Sequence, residues 1–317
     1  MPLKFRDNSI NIVAYHYVRE IKRSNFPNLK GIELNLFKRQ LKFFKKNFVM
    51  ISAGELNYLI KNKTKANFKK PLMLLTFDDG YLDHFKYVLP LLRKEKIPGC
   101  FYPPIQIFKK KILKVNKLQF ILSVTNDKRE LINEIINYLK KKRIRLNFLN
   151  KKRLHNYRIP EYDDNETILI KKILYKETTE HNSNEICNFL FKKYIKTDQS
   201  KFSKSLYMSI ANLKELESNN MHIGSHGTNH IMFKNLSDTK QKNEIMKSLI
   251  FFKNNNIDIA NVSLCYPWGS YNKNSKKILK KLNINFALTS NSGNIILNKK
   301  FDRYYLPRFD ANEFKNI

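Results

Sequence analysis

The sequence predicts an α/β protein, and three observations carry that expectation. The short continuous apolar run "PLMLLTF" (residues 71–77) reads as a strand covered on both faces, as in parallel sheets. It is followed directly by "YLDHFKYVLPLLRKEK", which repeats apolar residues at helical spacing, and then by "GCFYPP", which starts as another strand. Strand, helix and strand at this spacing argue for a βαβ fold with a parallel sheet or barrel.

The other elements fit the same rhythm. "INIVAYHYV" (residues 10–18) is apolar and β-branched enough for a buried strand, and "LNLFKRQLKFFKKNF" (residues 34–48) has the period of an amphipathic helix. Pro90, inside the helix after "TFDDG", predicts a kink. Over residues 109–205 the texture changes. Lysine runs such as "KKRIRLNFLNKKR" sit among amphipathic segments such as "RELINEIINYLKKK", which predicts a mainly helical insertion. Beyond it the alternation resumes: "LKELESNN" leads into "MHIGSHGTNH", then a helix through "EIMKSLIFFKNN", a strand at "VSLCYPWGSY", a helix at "KKILKKLN" and a strand at "FALTS". Residues 1–108 and 206–317 are therefore expected to form one α/β body interrupted by the insertion, with no internal repeats.

Composition bounds what such a body can do. With 317 residues, 42% hydrophobic and 13% aromatic, the chain can bury a large core. No apolar run reaches the roughly 18 residues needed to span a bilayer, and the opening "MPLKFRDNSINIVAYHYV" lacks the apolar run and cleavage site of a secretory signal. The expected compartment is the cytoplasm. Cys100, Cys187 and Cys265 are too few and too scattered for a disulfide framework or a paired-cysteine metal site, so free thiols are expected. The net charge of +33 comes from 60 Lys plus Arg against 27 Asp plus Glu, mostly lysine spread along a chain also rich in Asn and Ile. That spread reads as compositional bias, so nucleic acid is not an expected partner. The alternative is an anionic one, either a phosphate-bearing substrate or peripheral contact with the inner membrane face.

Three stretches carry chemistry. Asp78 and Asp79 stand at the predicted carboxyl end of a strand, where α/β folds gather catalytic groups, and Gly80 allows the backbone to turn there. In "GSHGTNH", His226 and His230 are four apart, a spacing that on a helical turn puts both imidazoles on one face, close enough to share a metal ion. Gly227 follows the first histidine, so no glutamate lies between them to act as base, and the base has to come from elsewhere. Adjacent carboxylates answer that need, one completing a site of two imidazoles and one carboxylate while the other takes a proton from bound water. In "CYPWGSYN", Pro267 and Gly269 predict a tight turn that aims a main-chain N–H near Trp268 into the site, with the rings of Tyr266 and Trp268 forming a wall for a sugar. His84, His155, His181 and His222 are read as structural.

"TFDDG", "SHGTNH" and "YPWGSY", in this order and separation, resemble the first three motifs of the polysaccharide deacetylases, the NodB-homology or carbohydrate esterase 4 family. The resemblance covers most of the chain except the insertion. It implies a distorted (β/α) barrel with fewer strands than eight, holding one divalent metal, usually zinc. By that likeness Asp78 is the general base, Asp79 a metal ligand, and His226 with His230 complete the triad. There are two departures. Where the commonest members have an arginine that orients the catalytic aspartate, this chain has Cys265, and Arg308 in "LPRFD" is the candidate substitute. No histidine follows His230 to act as late general acid. Here "AYHYV" resembles permuted members in which an early "YH" strand supplies the acid, which makes His16 the candidate.

The resulting expectation is a metal-dependent hydrolase that removes an N-acetyl or similar acyl group from a sugar of bacterial surface-glycan biosynthesis, the sugar being nucleotide- or lipid-linked. Two rivals remain open. Two histidines and one carboxylate also suit a non-haem iron oxygenase, and a degenerate deacetylase scaffold could serve as a non-catalytic glycan- or lipid-binding protein.

Overall fold

The computed structural model describes residues 5, 7–62, 68–144, 163–297 and 299–317. It divides the chain into two compact units. One comprises Met1–Ile21, Gly31–Lys111 and Gln199–Ile317, and the other Lys22–Lys30 with Ile112–Asp198. The second unit thus takes in a short early segment that carries no helical period.

Parallel strands run around the first unit. β1 (Ser9–Tyr15) pairs with β2 (Leu72–Asp78), which pairs with β3 (Gly99–Tyr102), which pairs with β4 (His222–Ile223). A parallel bridge from Ser225 to Leu264 leads to β5 (Leu264–Cys265), beside β6 (Ala287–Leu288). Leu288 bridges Leu306, and three residues later β7 (Phe309–Asp310) returns to β1 at Val13 and Ala14. The ring closes with seven parallel staves among the described residues, a (β/α) barrel one short of eight. The short strand Val49–Met50 extends it beside the start of β2, and Ile295–Ile296 adds an antiparallel edge to β1.

Strand alternation sorts the side chains between two clusters. Val13, Tyr15, Met73, Leu75, Phe77 and Phe101 face outward, where α1 (Leu34–Asn47) covers them with Phe37, Leu41 and Phe44. Ile10, Ile12, Leu72, Leu74, Cys100, Tyr102, Cys265, Leu288 and Leu306 face inward. At the strand starts this inner cluster is joined by Ala53, Leu56, Leu59 and Ile60 of α2 (Ala53–Lys61), whose first turn is fixed by a reciprocal Ser52–Glu55 capping box. Each fully buried Leu or Ile in these layers contributes about 1.5–3 kcal/mol. Residues 72, 74 and 76 share the inner face of β2, so the period of two delivers Asp78 to the same face. On β1, residues 10, 12 and 14 do the same for position 16.

The expected helix after "TFDDG" starts as a π-helical turn, His84–Val88, and becomes α3 (Leu89–Glu95) with Pro90 at its N-terminal end. Helical residues precede Pro90 without a break, so its missing N–H and its ring fall inside a continuous helix, directly after a turn of wider π winding. The second unit is helical among its described residues. α4 (Lys114–Val124) packs on α7 (Glu180–Ile195), and α5 (Lys128–Lys141) on α6 (Asn165–Lys172), around Leu118, Ile121, Leu131, Ile135, Ile170, Ile186 and Leu190. Asp127, Asp164 and Thr179 cap the last three helices. His155 lies outside the described residues. Among them, no helix is long and apolar enough to cross a membrane.

Candidate metal and catalytic centre

β2 ends at Asp78, and the next two residues turn away in the left-handed region, with φ 68° at Asp79 and 67° at Gly80. A side chain at Gly80 would stand 2.5 Å from Ile107 Cδ1 and 2.9 Å from Pro103 Cβ, so only glycine fits the turn. The turn throws the two carboxylates to different partners.

Asp79 faces the histidines. Its Oδ2 accepts from the Tyr81 hydroxyl at 2.6 Å, while its buried Oδ1 has no hydrogen-bond partner. That oxygen lies 3.6 Å from His226 Nε2 and 3.3 Å from His230 Nε2. His226 is oriented by its other nitrogen, 2.7 Å from the Cys265 carbonyl oxygen. A carbonyl can only accept, so Nδ1 carries the hydrogen and Nε2 offers its lone pair to the site. Burial pushes His230 down to about 4 against the pull of Asp79, which keeps its ring neutral at physiological pH and able to ligate. An orphaned carboxylate oxygen and two imidazole nitrogens turned toward it fit a divalent cation such as zinc.

The two histidines meet by a route other than the expected helical turn. Residues 226–230 form a loop with φ 72° at Gly227 and 55° at His230, and the rings come to 4.8 Å between centroids. Glu244, on the helix Asp238–Asn254, holds that loop by accepting from Thr228 N at 3.0 Å, Asn229 N at 2.8 Å and Asn229 Nδ2 at 2.6 Å. Sequence reasoning missed Glu244. The signal was available, since Gln241, Glu244 and Ser248 occupy the same buried stripe of the helix as Ile245 and Phe252.

Asp78 faces a guanidinium. Arg308 donates from Nη1 to Asp78 Oδ1 at 3.0 Å and from Nη2 to Oδ2 at 2.8 Å. It also donates to Thr76 Oγ1 at 3.0 Å and to the Thr289 carbonyl at 2.9 Å. Cys265, wholly buried, directs its thiol to Asp78 Oδ2 at 3.4 Å. Burial raises its pKa well above the usual thiol range, so it stays protonated. For Asp78 burial acts upward too, but Arg308, with His226 and His16, outweighs it and holds the carboxyl well below its ordinary value. Asp78, His226 and Cys265 also bring potential ligand atoms together. A cation fits there less well, because the guanidinium already covers both oxygens of Asp78. His16, next after β1, has a side chain 43% exposed, with Nε2 4.0 Å from Asp78 Oδ2.

The "CYPWGSY" segment departs from its expected role in one respect. Tyr266 is fully buried, with its ring against Phe233, Tyr271 and Tyr305, so it packs the core and forms no sugar wall. Pro267 is buried as well, at the start of a short 3-10 turn, Pro267–Gly269. Trp268 is partly exposed with φ 61°, and its ring lies 5.9 Å from that of His230. Of the predicted set, Asp78, Asp79, His226, His230, His16, Arg308 and Trp268 gather at one end of the barrel, and Tyr266 does not.

A parallel-stranded (β/α) barrel that gathers paired aspartates and two histidines at one end defines a class of barrel proteins with a candidate metal site. The model of the polysaccharide deacetylase family matches residues 114–287, and the chain belongs to that family. The matched span holds both histidines and the "CYPWGSY" turn, and begins after Asp78 and Asp79. Among solved structures, the chain is similar to the deacetylase PplD of Streptococcus pyogenes, solved with acetate, at 16% identity and TM-score 0.59, over 96% of this chain and 93% of that one. It is also similar to IcaB of Ammonifex degensii, at 14% identity and TM-score 0.54 over 95% and 91%. A third similar structure is the BpsB deacetylase domain of Bordetella bronchiseptica, at 14% identity and TM-score 0.53 over 98% of each. At these identities the likeness shows the fold. No curated protein matches the sequence.

Proposed function

We propose that this chain is a metal-dependent hydrolase that removes an N-acetyl or similar acyl group from a sugar during construction of a bacterial surface glycan. The observation that carries this reading is the orphaned Asp79 Oδ1 facing two imidazole nitrogens, directly beside a second carboxylate held by an arginine. Asp79, His226 and His230 would hold one divalent cation, with zinc the expected ion for this donor set. Bound there, such an ion supplies polarisation of an acyl carbonyl and a lowered pKa for a coordinated water.

The chain's own residues supply the proton transfers. Asp78 accepts the proton of the attacking water, its plane fixed by the fork of Arg308, which also keeps it ionised and ready. His16 delivers a proton to the departing amine nitrogen, which leaves only when protonated; its partial exposure leaves the ring open to a substrate. The main-chain N–H of Trp268 stabilises the developing oxyanion, and its ring forms one side of the sugar site. The products are an amino sugar and acetate. The excess of lysine suits a phosphate-linked sugar acted on in the cytoplasm, at or near the inner membrane face.

Acetate release and metal content test this reading together. The purified protein is expected to carry one divalent ion and to release acetate from an N-acetyl sugar, and Asp78→Asn and His16→Ala are expected to lose that activity. Undiminished rates in both variants would remove the assigned base and acid. Equal rates on free and diphosphate-linked sugars would remove the phosphate requirement.

A further inference from the structure

The stretch that carries Asp78 and Asp79 continues through Tyr81, Asp83 and His84, and the last two have no part in the chemistry above. Three contacts nonetheless tie residues 79–84 to the segment that follows β1. His84 Nε2 lies 2.7 Å from the carbonyl oxygen of His16. Because a carbonyl only accepts, Nε2 carries the hydrogen and Nδ1 the lone pair, and Nδ1 is buried without a hydrogen-bond partner. The ring is wholly buried against Phe77, Tyr81 and Phe101, at centroid distances of 5.5, 5.5 and 5.9 Å, so it has no room to turn to another acceptor. Burial also lowers its pKa to about 4, which keeps it neutral.

Three residues further on, Arg19 Nε donates to Asp83 Oδ2 at 2.6 Å. Between these two attachments the Tyr17 ring stacks on Tyr81 at 4.1 Å, and Tyr81 in turn bonds Asp79. His84 also opens the π-helical turn, a winding that is frequent at functional sites. The side chain of His16 comes only to 4.0 Å from Asp78, too far for a hydrogen bond to fix its aim.

We propose that His84 and Asp83 are positioning residues that clamp the His16–Arg19 segment, His84 by holding the His16 carbonyl and Asp83 by holding Arg19, so that the His16 imidazole stands beside Asp78. This rests on the reading of His16 as the proton donor. It assigns a purpose to two residues of one short stretch that also holds the candidate base and a candidate metal ligand. One rigid element would then fix three parts of the reaction relative to one another.

Three variants test the clamp. His84→Gln keeps an N–H donor near the Nε2 position, whereas His84→Phe keeps the ring volume without the donor. Misplacement of a reacting group by about 1 Å can cost on the order of 100-fold. His84→Phe is therefore expected to lower kcat for acetate release by about 10- to 100-fold with KM and zinc affinity unchanged, and His84→Gln to restore most of it. In the double variant His16→Ala with His84→Phe, the rate is expected to equal that of His16→Ala alone, because the clamp acts through His16. An additive loss, wild-type kcat in His84→Phe, or a loss that Gln does not restore would overturn the proposal. If His16→Ala proves fully active, the donor assignment falls, and the clamp is then judged by the 15N resonances of the His16 ring. These are expected to move in His84→Phe and to return in His84→Gln. Resonances that stay in place overturn the clamp independently of any activity.

Discussion

Arg308 and Asp78, 230 positions apart in the chain, meet through two hydrogen bonds of 3.0 and 2.8 Å inside the barrel. The guanidinium fork matches both carboxylate oxygens at once, a match that lysine cannot make. Cys265 occupies the place where the commonest family members are expected to have an arginine, and here the charge arrives from a different strand end. The substitution in one motif is thereby offset from outside that motif.

Removing the fork should be costly. Arg308→Ala leaves Asp78 buried and unpaired, which typically costs about 3–5 kcal/mol, read as a lower urea midpoint by circular dichroism. Arg308→Lys is expected to recover part of the stability but little of the acetate release, since it cannot hold both oxygens. A wild-type midpoint in Arg308→Ala would show that the pair contributes nothing to the fold.

The cation should stabilise the folded chain. Binding to the folded state alone adds about 2.7 kcal/mol when free metal is 100 times Kd, so chelation is expected to lower the melting temperature and zinc to restore it. Asp79→Asn, His226→Gln and His230→Gln are each expected to lose the stoichiometric ion and to melt at the same temperature with or without zinc. Zinc-dependent melting that survives in all three would place the ion elsewhere.

Stability should also depend on acid in a defined window. His84 titrates at about 4 in the folded chain because it is buried, against an ordinary value near 6.5. Between those values the unfolded chain binds a proton that the folded chain refuses, so stability is full above about pH 7 and falls as pH drops toward 4. The loss from this group is about 3 kcal/mol over the window. Urea midpoints of metal-free protein from pH 7.5 to 4.5 check it, and His84→Phe is expected to show a shallower decline than the parent.

Glu244 should matter for metal affinity at a distance. Supports of this kind typically account for about 10- to 100-fold in affinity, so Glu244→Ala is expected to weaken zinc binding in that range by titration calorimetry. Glu244→Gln, which keeps one acceptor oxygen, should fall between. An unchanged Kd in Glu244→Ala would mean that the 226–230 loop holds its shape unaided.

Much of this architecture was legible in the sequence because short continuous apolar runs alternate with segments of helical period. The run from Leu72 to Phe77 declared a strand buried on both faces and put Asp78 and Asp79 at its carboxyl end, while the structure shows which face Asp78 takes. The paired aspartates could be read as chemistry because they stand where a strand ends, the two histidines because of their spacing, and His16 because "AYHYV" resembles an early motif of permuted family members. What escaped depended on contacts between distant segments or on loop backbone. His226 and His230 were expected to meet through a helical turn, whereas two left-handed residues bring them together, and i to i+4 spacing does not distinguish these routes. Tyr266 looked like a wall because an aromatic beside a glycine turn suits one, but the side of the strand end it takes is decided by Phe233 and Tyr305. Glu244 and His84 were passed over because a carboxylate on a helix and a histidine after a turn are ordinary until their acceptors or donors are known.

The last stave of the barrel carries a consequence for synthesis. Phe309 and Asp310 close the ring against β1, and Arg308 immediately precedes them. A nascent chain emerging from the ribosome holds both aspartates and both histidines long before position 308 is translated, yet it cannot orient Asp78. The arrangement around Asp78 is therefore completed only once Arg308 and β7 have been made, and a product stopped before them would keep every candidate ligand without the fork that holds Asp78.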